Sequence, residues 1–291
     1  MKRLSIVIVN FNTKDTLRDC LINLTNKYEN KEVIVVDNSS LDGSYDMLKL
    51  EFPWVISIKS ENRGLAHGYN LGIDASSGDY LLFLGTDAFP GEGVLERMVD
   101  YMEFNGLVGA ATPKLVLQDG NIDLDCHRGF PTPWVSFTHF SGLERLFPKT
   151  KLFGGYFLGY GDLTTEHEID LCIAHFMLVK KKVINIVGLW DEKFFVYGED
   201  VDYCYRIKQA GWKILYLPQY TVTHLKGVSV GVRKETKNIT KATPEVRKSM
   251  RIASVDAMEL FYKKHLETKY TKFINNLVYL GISLIRKTRS N

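Results

Sequence analysis

Nowhere in the 291 residues does an apolar run reach the roughly 18 to 20 residues that span a bilayer as a helix. No membrane-crossing segment is therefore expected. A secretory leader is equally unsupported: Met1-Lys-Arg leads straight into Leu4–Val9, too short for a leader's apolar segment and without a small-residue cleavage site. The four cysteines (Cys20, Cys126, Cys172, Cys204) lie far apart with no C-x-x-C pair. That spacing excludes a disulfide frame or a cysteine zinc site and predicts reduced thiols. No Gly-Lys-Ser/Thr P-loop, no G-x-G-x-x-G and no Ser-His-Asp or Cys-His signature occurs, so neither those nucleotide folds nor a covalent nucleophile is expected. Low-complexity tracts are missing too. With 45% hydrophobic and 24% charged residues the chain reads as one large globular domain, or one domain with an appendage.

Charge is present in both signs but unevenly placed. From Arg233 onward stand 14 of the 37 Lys and Arg but only 5 of the 34 Asp and Glu, a net of +9 there against −6 in the rest. A basic tail on an acidic body suggests an anionic partner for the tail. The acidic body, with no nucleic-acid motif, argues against DNA or RNA.

Short apolar runs alternate with helical periods. Leu4–Val9 and Glu32–Val36 read as buried strands joined by a helix through Leu17, Leu21 and Leu24, a βαβ unit that predicts a parallel sheet. Ligands of such sheets lie at the carboxyl ends of the strands, where Asn10–Thr13 and Asp37–Ser40 fall. A second helix over Asp42–Leu50 and a third strand over Val55–Ile58 lead into the Gly-rich segment Glu61–Ile73. That segment is either a plain turn or a loop bringing N–H groups and Arg63 to a diphosphate. Asp79–Leu84 is the clearest core strand, and Asp87 just beyond it is placed to hold a metal, given a second ligand from elsewhere. A helix over Gly93–Phe104 and a strand over Val108–Leu117 follow. Residues 118–168 show no clear period and read as a binding loop or lid. Ile169–Val179 reads as one strand, and two further strands run from Trp212 to Leu217 and from Tyr220 to Leu225. His224, at the end of that last run, is either structural or the second metal ligand.

The most informative stretch is Gly188–Trp212. A Gly-Leu-Trp-Asp turn precedes Phe194, Phe195 and Tyr197; then Glu199, Asp200 and Asp202 open a helix closed by Gly211. Acids in a first turn suit the positive end of a helix. The alternative is that one carboxylate, desolvated by aromatic neighbours, is a general base at the mouth of a cleft. Beyond Pro244 the pattern is helical, and Phe273–Ile285 is apolar over 13 residues before Arg286-Lys-Thr-Arg. It suits a helix lying on a membrane, packed on its own domain, or forming a dimer contact.

Five segments in this order carry a resemblance: Ile6–Asn12, Val35–Ser40, Asn62-Arg-Gly-Leu-Ala66 with Asn70, Thr86-Asp-Ala88, and Gly188-Leu-Trp-Asp191 through Phe195 with Glu199–Asp202. Over residues 3 to about 226 the chain resembles inverting glycosyltransferases of family 2. Within that family it is most similar to the rhamnosyltransferase-like enzymes of bacterial surface-polysaccharide assembly. The resemblance implies an α/β fold of the GT-A type, a mostly parallel central sheet flanked by helices, over residues 1–230. Its nucleotide-binding half would be 1–117 and its acceptor half 118–230, with a basic helical extension at 231–291. Val9, Asn10 and Asn12 would line the nucleotide pocket and Asp37 would bond the base or ribose. Asn62, Arg63, Ala66 and Thr86 would border the nucleotide and diphosphate. Asp87 and His224 would hold Mg²⁺ or Mn²⁺, Asp200 of the Glu199–Asp200 pair would be the general base, and Trp190 and Asp191 would shape the acceptor side.

Two departures from the family stand out: Gly85-Thr86 replaces the usual Asn-Pro before the metal aspartate, and Ala174-His175-Phe176 replaces a Gly-Ala-like pair. His175 is therefore expected on the acceptor side or, in preference, as a buried structural residue. The implied partners are a nucleotide-sugar donor (dTDP-rhamnose first, UDP-linked galactose, glucose or N-acetylglucosamine next) and a saccharide or lipid-linked saccharide acceptor. A second copy of the chain and the inner face of the cell membrane, met by an otherwise cytoplasmic protein, complete the expectations. The competing class is a non-catalytic sugar- or nucleotide-binding module on the same scaffold.

Overall fold

A computed structural model describes residues 3–225 and 244–290. The boundary expected at 230/231 and the Gly-rich loop after His224 lie outside the described residues.

Nine strands form one sheet. The first half is β1 (Leu4–Asn10), α1 (Lys14–Leu24), β2 (Lys31–Asn38), α2 (Ser44–Glu51), β3 (Ile56–Ser60), α3 (Leu65–Asp74) and β4 (Tyr80–Leu84). Alternating strands and helices put β1, β2, β3 and β4 in parallel, as the apolar runs predict. Next come the three-residue β5 (Ala88–Pro90), α4 (Val94–Phe104) and β6 (Val108–Val116). Two short helices follow, α5 (Pro133–Phe140) and α6 (Leu143–Leu146), then β7 (His167–Ile169), β8 (Phe176–Lys180), α7 (Lys181–Val187), α8 (Glu199–Gln209) and β9 (Lys213–His224). The order across the sheet is β3-β2-β1-β4-β8-β6-β9-β5, with β7 also on β9. β8, β5 and β7 run against the other six, so the sheet is mostly parallel.

Three expectations change here. The run Ile169–Val179 is two strands, because Leu171 bridges to Arg128 and pulls the chain away before Phe176 enters the sheet beside β4. The two strands expected after Gly211 are one, β9, which passes Pro218 through a register shift against β6. Residues 118–168 are not a bare loop: they hold α5 and α6 and send Arg128 and Asp123 into the body.

β4 is buried along its whole length, and Phe83 touches the rings of Tyr69, Trp190 and Tyr203 edge-on. Truncating such a residue costs about 3–5 kcal/mol. All four cysteines are buried thiols outside any disulfide. The C-terminal part is α9 (Pro244–His265) and α10 (Lys272–Ser290). α9 packs on its own domain through a second apolar cluster of Phe194, Tyr205, Ala257, Phe261, Tyr262 and Leu266. α10, which holds the Phe273–Ile285 run, packs against this cluster through Val278 and Tyr279. No helix among the described residues is long and apolar enough to cross a membrane.

Candidate active site

The carboxyl ends of β1, β2 and β4, the end of β9 and the first turn of α8 converge on one side of the sheet. At the nucleotide side, register sets Asn10 beside Asp37. The Asn10 amide donates to Asp37 Oδ2 at 2.8 Å and to Ser40 Oγ at 3.0 Å, and the Ser40 N–H donates to Asp37 Oδ1 at 2.9 Å. Asp37 is fully buried with both oxygens engaged. These bonds fix the turn after β2 and use one lone pair on each oxygen. Asn12 holds a left-handed backbone (φ 54°), and its Oδ1 accepts from Leu41 N at 2.8 Å. Val9 sits over Gly68, where a Cβ would lie 2.8 Å from its methyls. Thr86 is buried and accepts from the Thr13 hydroxyl at 3.2 Å.

Asn62 and Arg63 are exposed and Ala66 is buried in the first turn of α3. Gly64, at φ 101°, lets this loop meet the aromatic run: Leu65 N donates to Phe195 O at 2.9 Å, and any Cβ at 64 would strike that carbonyl. Arg63 pairs with Glu192 at 3.2 Å, an exposed bridge that a diphosphate would readily replace. Glu192, which also meets His67 and Asn70, was not anticipated.

Two antiparallel pairings bracket Asp87. Leu84 faces Phe176, so Gly85 N donates to His175 O at 3.0 Å; Ala88 faces His224, and Leu225 N donates to Asp87 O at 2.9 Å. His224 Nε2 stands 3.6 Å and His175 Nε2 3.8 Å from Asp87 Oδ1, and the two rings are 4.8 Å apart. Asp87 and His224 are buried, whereas the His175 side chain is 43% exposed to the cleft, so it is not the buried structural residue preferred from sequence. His224 Nδ1 bonds Asp123 Oδ2 at 2.8 Å, while its buried Nε2 has no hydrogen-bond partner and points toward Asp87. A carboxylate on the outer nitrogen is how proteins orient a metal-binding imidazole. The donor set thus fits a divalent cation.

The electrostatics agree. Burial works against charge on Asp87, yet His175 and His224 pull its carboxyl down to about 2. Burial likewise opposes charge on His224, but Asp123 and Asp87 outweigh it and lift the imidazole to about 9. A bound cation would therefore displace a proton from His224.

The third group is the opening of α8. Gly198 turns the chain in a left-handed conformation (φ 80°), and Glu199, Asp200 and Asp202 are all buried. Arg128 Nη2 lies 3.5 Å from Asp200 Oδ2, and Val201 N donates to Asp200 Oδ1 at 2.8 Å. Burial raises the carboxyl pKa of both Glu199 and Asp200. The Asp200 charge pushes Glu199 further up, while Arg128, the Val201 N–H and His175 hold Asp200 back. Both carboxyls are thus raised as a pair, and Glu199 Oε2 is buried without a hydrogen-bond partner. Asp202 points the other way, to His265 and Lys264 of α9, each at 2.7 Å, and to Arg206 at 2.9 Å.

Trp190 departs from its expected place at the acceptor. It is 2% exposed, stacks on Tyr203 at 4.2 Å, and its backbone is clamped on both sides by the Asn70 amide. Asp191 is bound by Lys264 of α9 at 2.6 Å. The Trp190 ring lies in the body of the fold, and Asp191 sits part-exposed at the junction with α9. Asp123 and Arg128, by contrast, were invisible in the sequence: each lies in the stretch without a period and about 70 to 100 residues from its partner.

Comparison with known proteins places this arrangement. Residues 5–185 match the profile of "Glycosyl transferase family 2". The chain is 22% identical over 222 residues to the poly-beta-1,6-N-acetyl-D-glucosamine synthase of Staphylococcus aureus strain MSSA476, covering 75% of this chain and 48% of that protein. It is 25% identical over 292 residues to the poly(ribitol-phosphate) beta-glucosyltransferase of Bacillus spizizenii, covering 93% of this chain and 41% of that one. The chain thus spans less than half the length of these relatives. A mannosyltransferase from Pyrobaculum calidifontis, solved with GDP-Man and Mn²⁺, shares the fold at a TM-score of 0.60 and 16% identity, covering 99% of this chain and 73% of the other. With its profile match running through the strands that carry Asn10, Asp37, Asp87 and His175, this chain belongs to glycosyl transferase family 2.

Proposed function

We propose that the protein transfers a sugar, with inversion, from a nucleotide-sugar to a saccharide or lipid-linked saccharide acceptor. The observation that carries this is the pairing of two chemically distinct groups on one rim: the Asp87–His224 cation site and the desolvated Glu199–Asp200 pair opening α8. Asp200, kept ionised beside Arg128, accepts the proton of the acceptor hydroxyl as that oxygen attacks the anomeric carbon. Glu199 stays protonated behind it and limits the charge buried in the first turn. Asp87 and His224 would hold the cation against the donor diphosphate, and a cation there neutralises charge on the leaving group. The turns after β1 and β2, fixed by the Asn10–Asp37–Ser40 bonds, form the wall for the base and ribose, with Asn12 and Val9 at its surface. Arg63 exchanges Glu192 for a phosphate.

For the donor we put dTDP-rhamnose first, on the subgroup resemblance. Glucose- and N-acetylglucosamine-type donors stand next, as the relatives' names favour them. α10 supports a surface role: Phe273, Leu277, Leu280 and Leu284, at 70, 49, 57 and 57% exposure, form one helical stripe with Lys272 and Lys287 exposed at its ends. Such a face suits the boundary of an anionic bilayer. The transferase reading is tested by initial rates with a panel of donors and acceptors, with Mn²⁺ and with chelator. It expects transfer from one donor that chelation abolishes, and turnover with every donor absent, on folded protein, would overturn it.

A further inference from the structure

The two departures from the family pattern, Gly85 and His175, are a single structural feature. A Cβ on residue 85 would lie 2.8 Å from His175 Cδ2 and 2.8 Å from Asp87 Oδ1. Contacts that short do not occur, so any larger residue at 85 would evict the imidazole or push the carboxylate aside. Gly85 is not at a positive φ, so glycine is needed there for space and not for backbone conformation. The space it opens is filled by His175, whose ring reaches Asp87 Oδ1 beside that of His224, the two rings 4.8 Å apart.

Two ligand atoms, each about 2.0 to 2.2 Å from a common cation, sit roughly 3 to 3.5 Å apart. Asp87 Oδ1 lies 3.6 Å from His224 Nε2 and 3.8 Å from His175 Nε2, and the three side chains offer ligand atoms all within 4.8 Å of one another. Closing the two Asp87–imidazole distances takes a few tenths of an ångström, and drawing the two imidazole nitrogens together takes up to about one ångström. The His175 side chain is partly open to the cleft, so the ion it meets there is also reachable by a donor diphosphate.

We propose that His175 is a third protein ligand of the cation, making the site two imidazoles and one carboxylate, and that this set selects a transition-metal ion such as Mn²⁺ over Mg²⁺. The proposal rests on the metal-dependent reading above. Its chemistry is direct: carboxylate, phosphate and water suit magnesium, whereas each added imidazole favours transition metals. Two imidazoles and a carboxylate leave further positions for diphosphate oxygens and water.

The test is cation binding by the full chain, free of nucleotide and of turnover. Mn²⁺ affinity is read by electron paramagnetic resonance, Mg²⁺ by competition, and Co²⁺ by its visible absorption. The wild type is expected to bind Mn²⁺ with Mg²⁺ competing poorly. His175→Ala is expected to weaken Mn²⁺ by at least the roughly 10- to 100-fold that loss of an outer-shell partner costs, to narrow the Mn²⁺/Mg²⁺ preference, and to change the Co²⁺ spectrum. Gly85→Ala, which crowds the same imidazole, is expected to act in the same direction, and metal-free thermal midpoints report whether both variants fold. If the wild type binds Mn²⁺ and folded His175→Ala keeps the same affinity, preference and Co²⁺ spectrum, His175 is no ligand and the proposal fails while the Asp87–His224 site stands. If the wild type binds no divalent ion with or without a nucleoside diphosphate, the metal-dependent reading itself fails.

Discussion

Helix α8 carries three acids within one turn, and its two sides treat them in opposite ways. On the cleft side, burial raises Glu199 and Asp200 above the ordinary carboxylate range. On the other side, burial is again a cost to Asp202, but His265, Lys264 and Arg206 overcome it and hold the carboxyl down to about 2. All three are buried; what differs is the number of cations each meets. Asp202, with Lys264, Arg206 and the His265 imidazole around it, is an anchor joining α8 to the C-terminal extension. Asp200 meets one cation, Arg128 at 3.5 Å, and its carboxyl is raised, as the proposed general base requires. Desolvation alone therefore does not mark the reactive acid; desolvation with incomplete compensation does.

The largest expected effect separates the two sides by chemistry. Asp200→Asn should lower kcat by about 10²- to 10⁴-fold while leaving the thermal midpoint near that of the wild type, measured by initial rates and calorimetry. Asp202→Ala should do the reverse in kind. It leaves Lys264, Arg206 and the His265 imidazole facing a hole and should cost about 3 kcal/mol or more of stability in urea unfolding. A midpoint unchanged in Asp202→Ala would show that the anchor is decorative.

pH sharpens the same contrast. Asp202 titrates from an ordinary value of 3.8 down to about 2 in the fold, which corresponds to about 2 kcal/mol. Because the folded value is depressed, that stabilisation is complete above the unfolded pKa and is lost as pH falls from about 4 towards 2. Asp202→Asn should flatten this part of the stability curve. Asp200 is shifted upward, so kcat/KM should fall on acidification at a pH above the ordinary carboxylate range. Removing the Arg128 charge by Arg128→Gln should carry that acidic limb higher still, seen in the pH–rate profile.

The smallest effect on the fold is expected at α10. Leu277→Lys with Leu280→Lys should shift stability by less than about 1 kcal/mol, because both side chains are exposed. Sedimentation with anionic vesicles should nevertheless be lost. Retained sedimentation would remove the membrane role from this stripe.

The sheet was legible because its strands are buried on both faces and read as short apolar runs, as at Leu4–Val9 and Asp79–Leu84. Three-residue β5 was not, since Ala88-Phe-Pro carries no period, although its pairing with β9 is what brings Asp87 to His224. Residues inside short motifs, such as Asn10, Asp87 and the acids of α8, could be singled out. Their partners could not: His175 reaches Asp87 only through the β4–β8 register, and Asp123 and Arg128 come from the stretch without periodicity. Trp190 was misplaced because a Gly-Leu-Trp-Asp turn does not reveal whether its ring faces the cleft or, as here, stacks on Tyr203 in the core.

The most direct test of the central claim is the thermal midpoint of the protein across a panel of nucleotide-sugars, with and without Mn²⁺, alongside Asp87→Asn. A ligand that binds only the native state raises the midpoint by mass action. The account predicts a rise with one donor that requires Mn²⁺ and vanishes in Asp87→Asn. No rise with any donor, or a rise that survives both chelation and Asp87→Asn, would contradict a cation-bridged donor at the ends of β4 and β9.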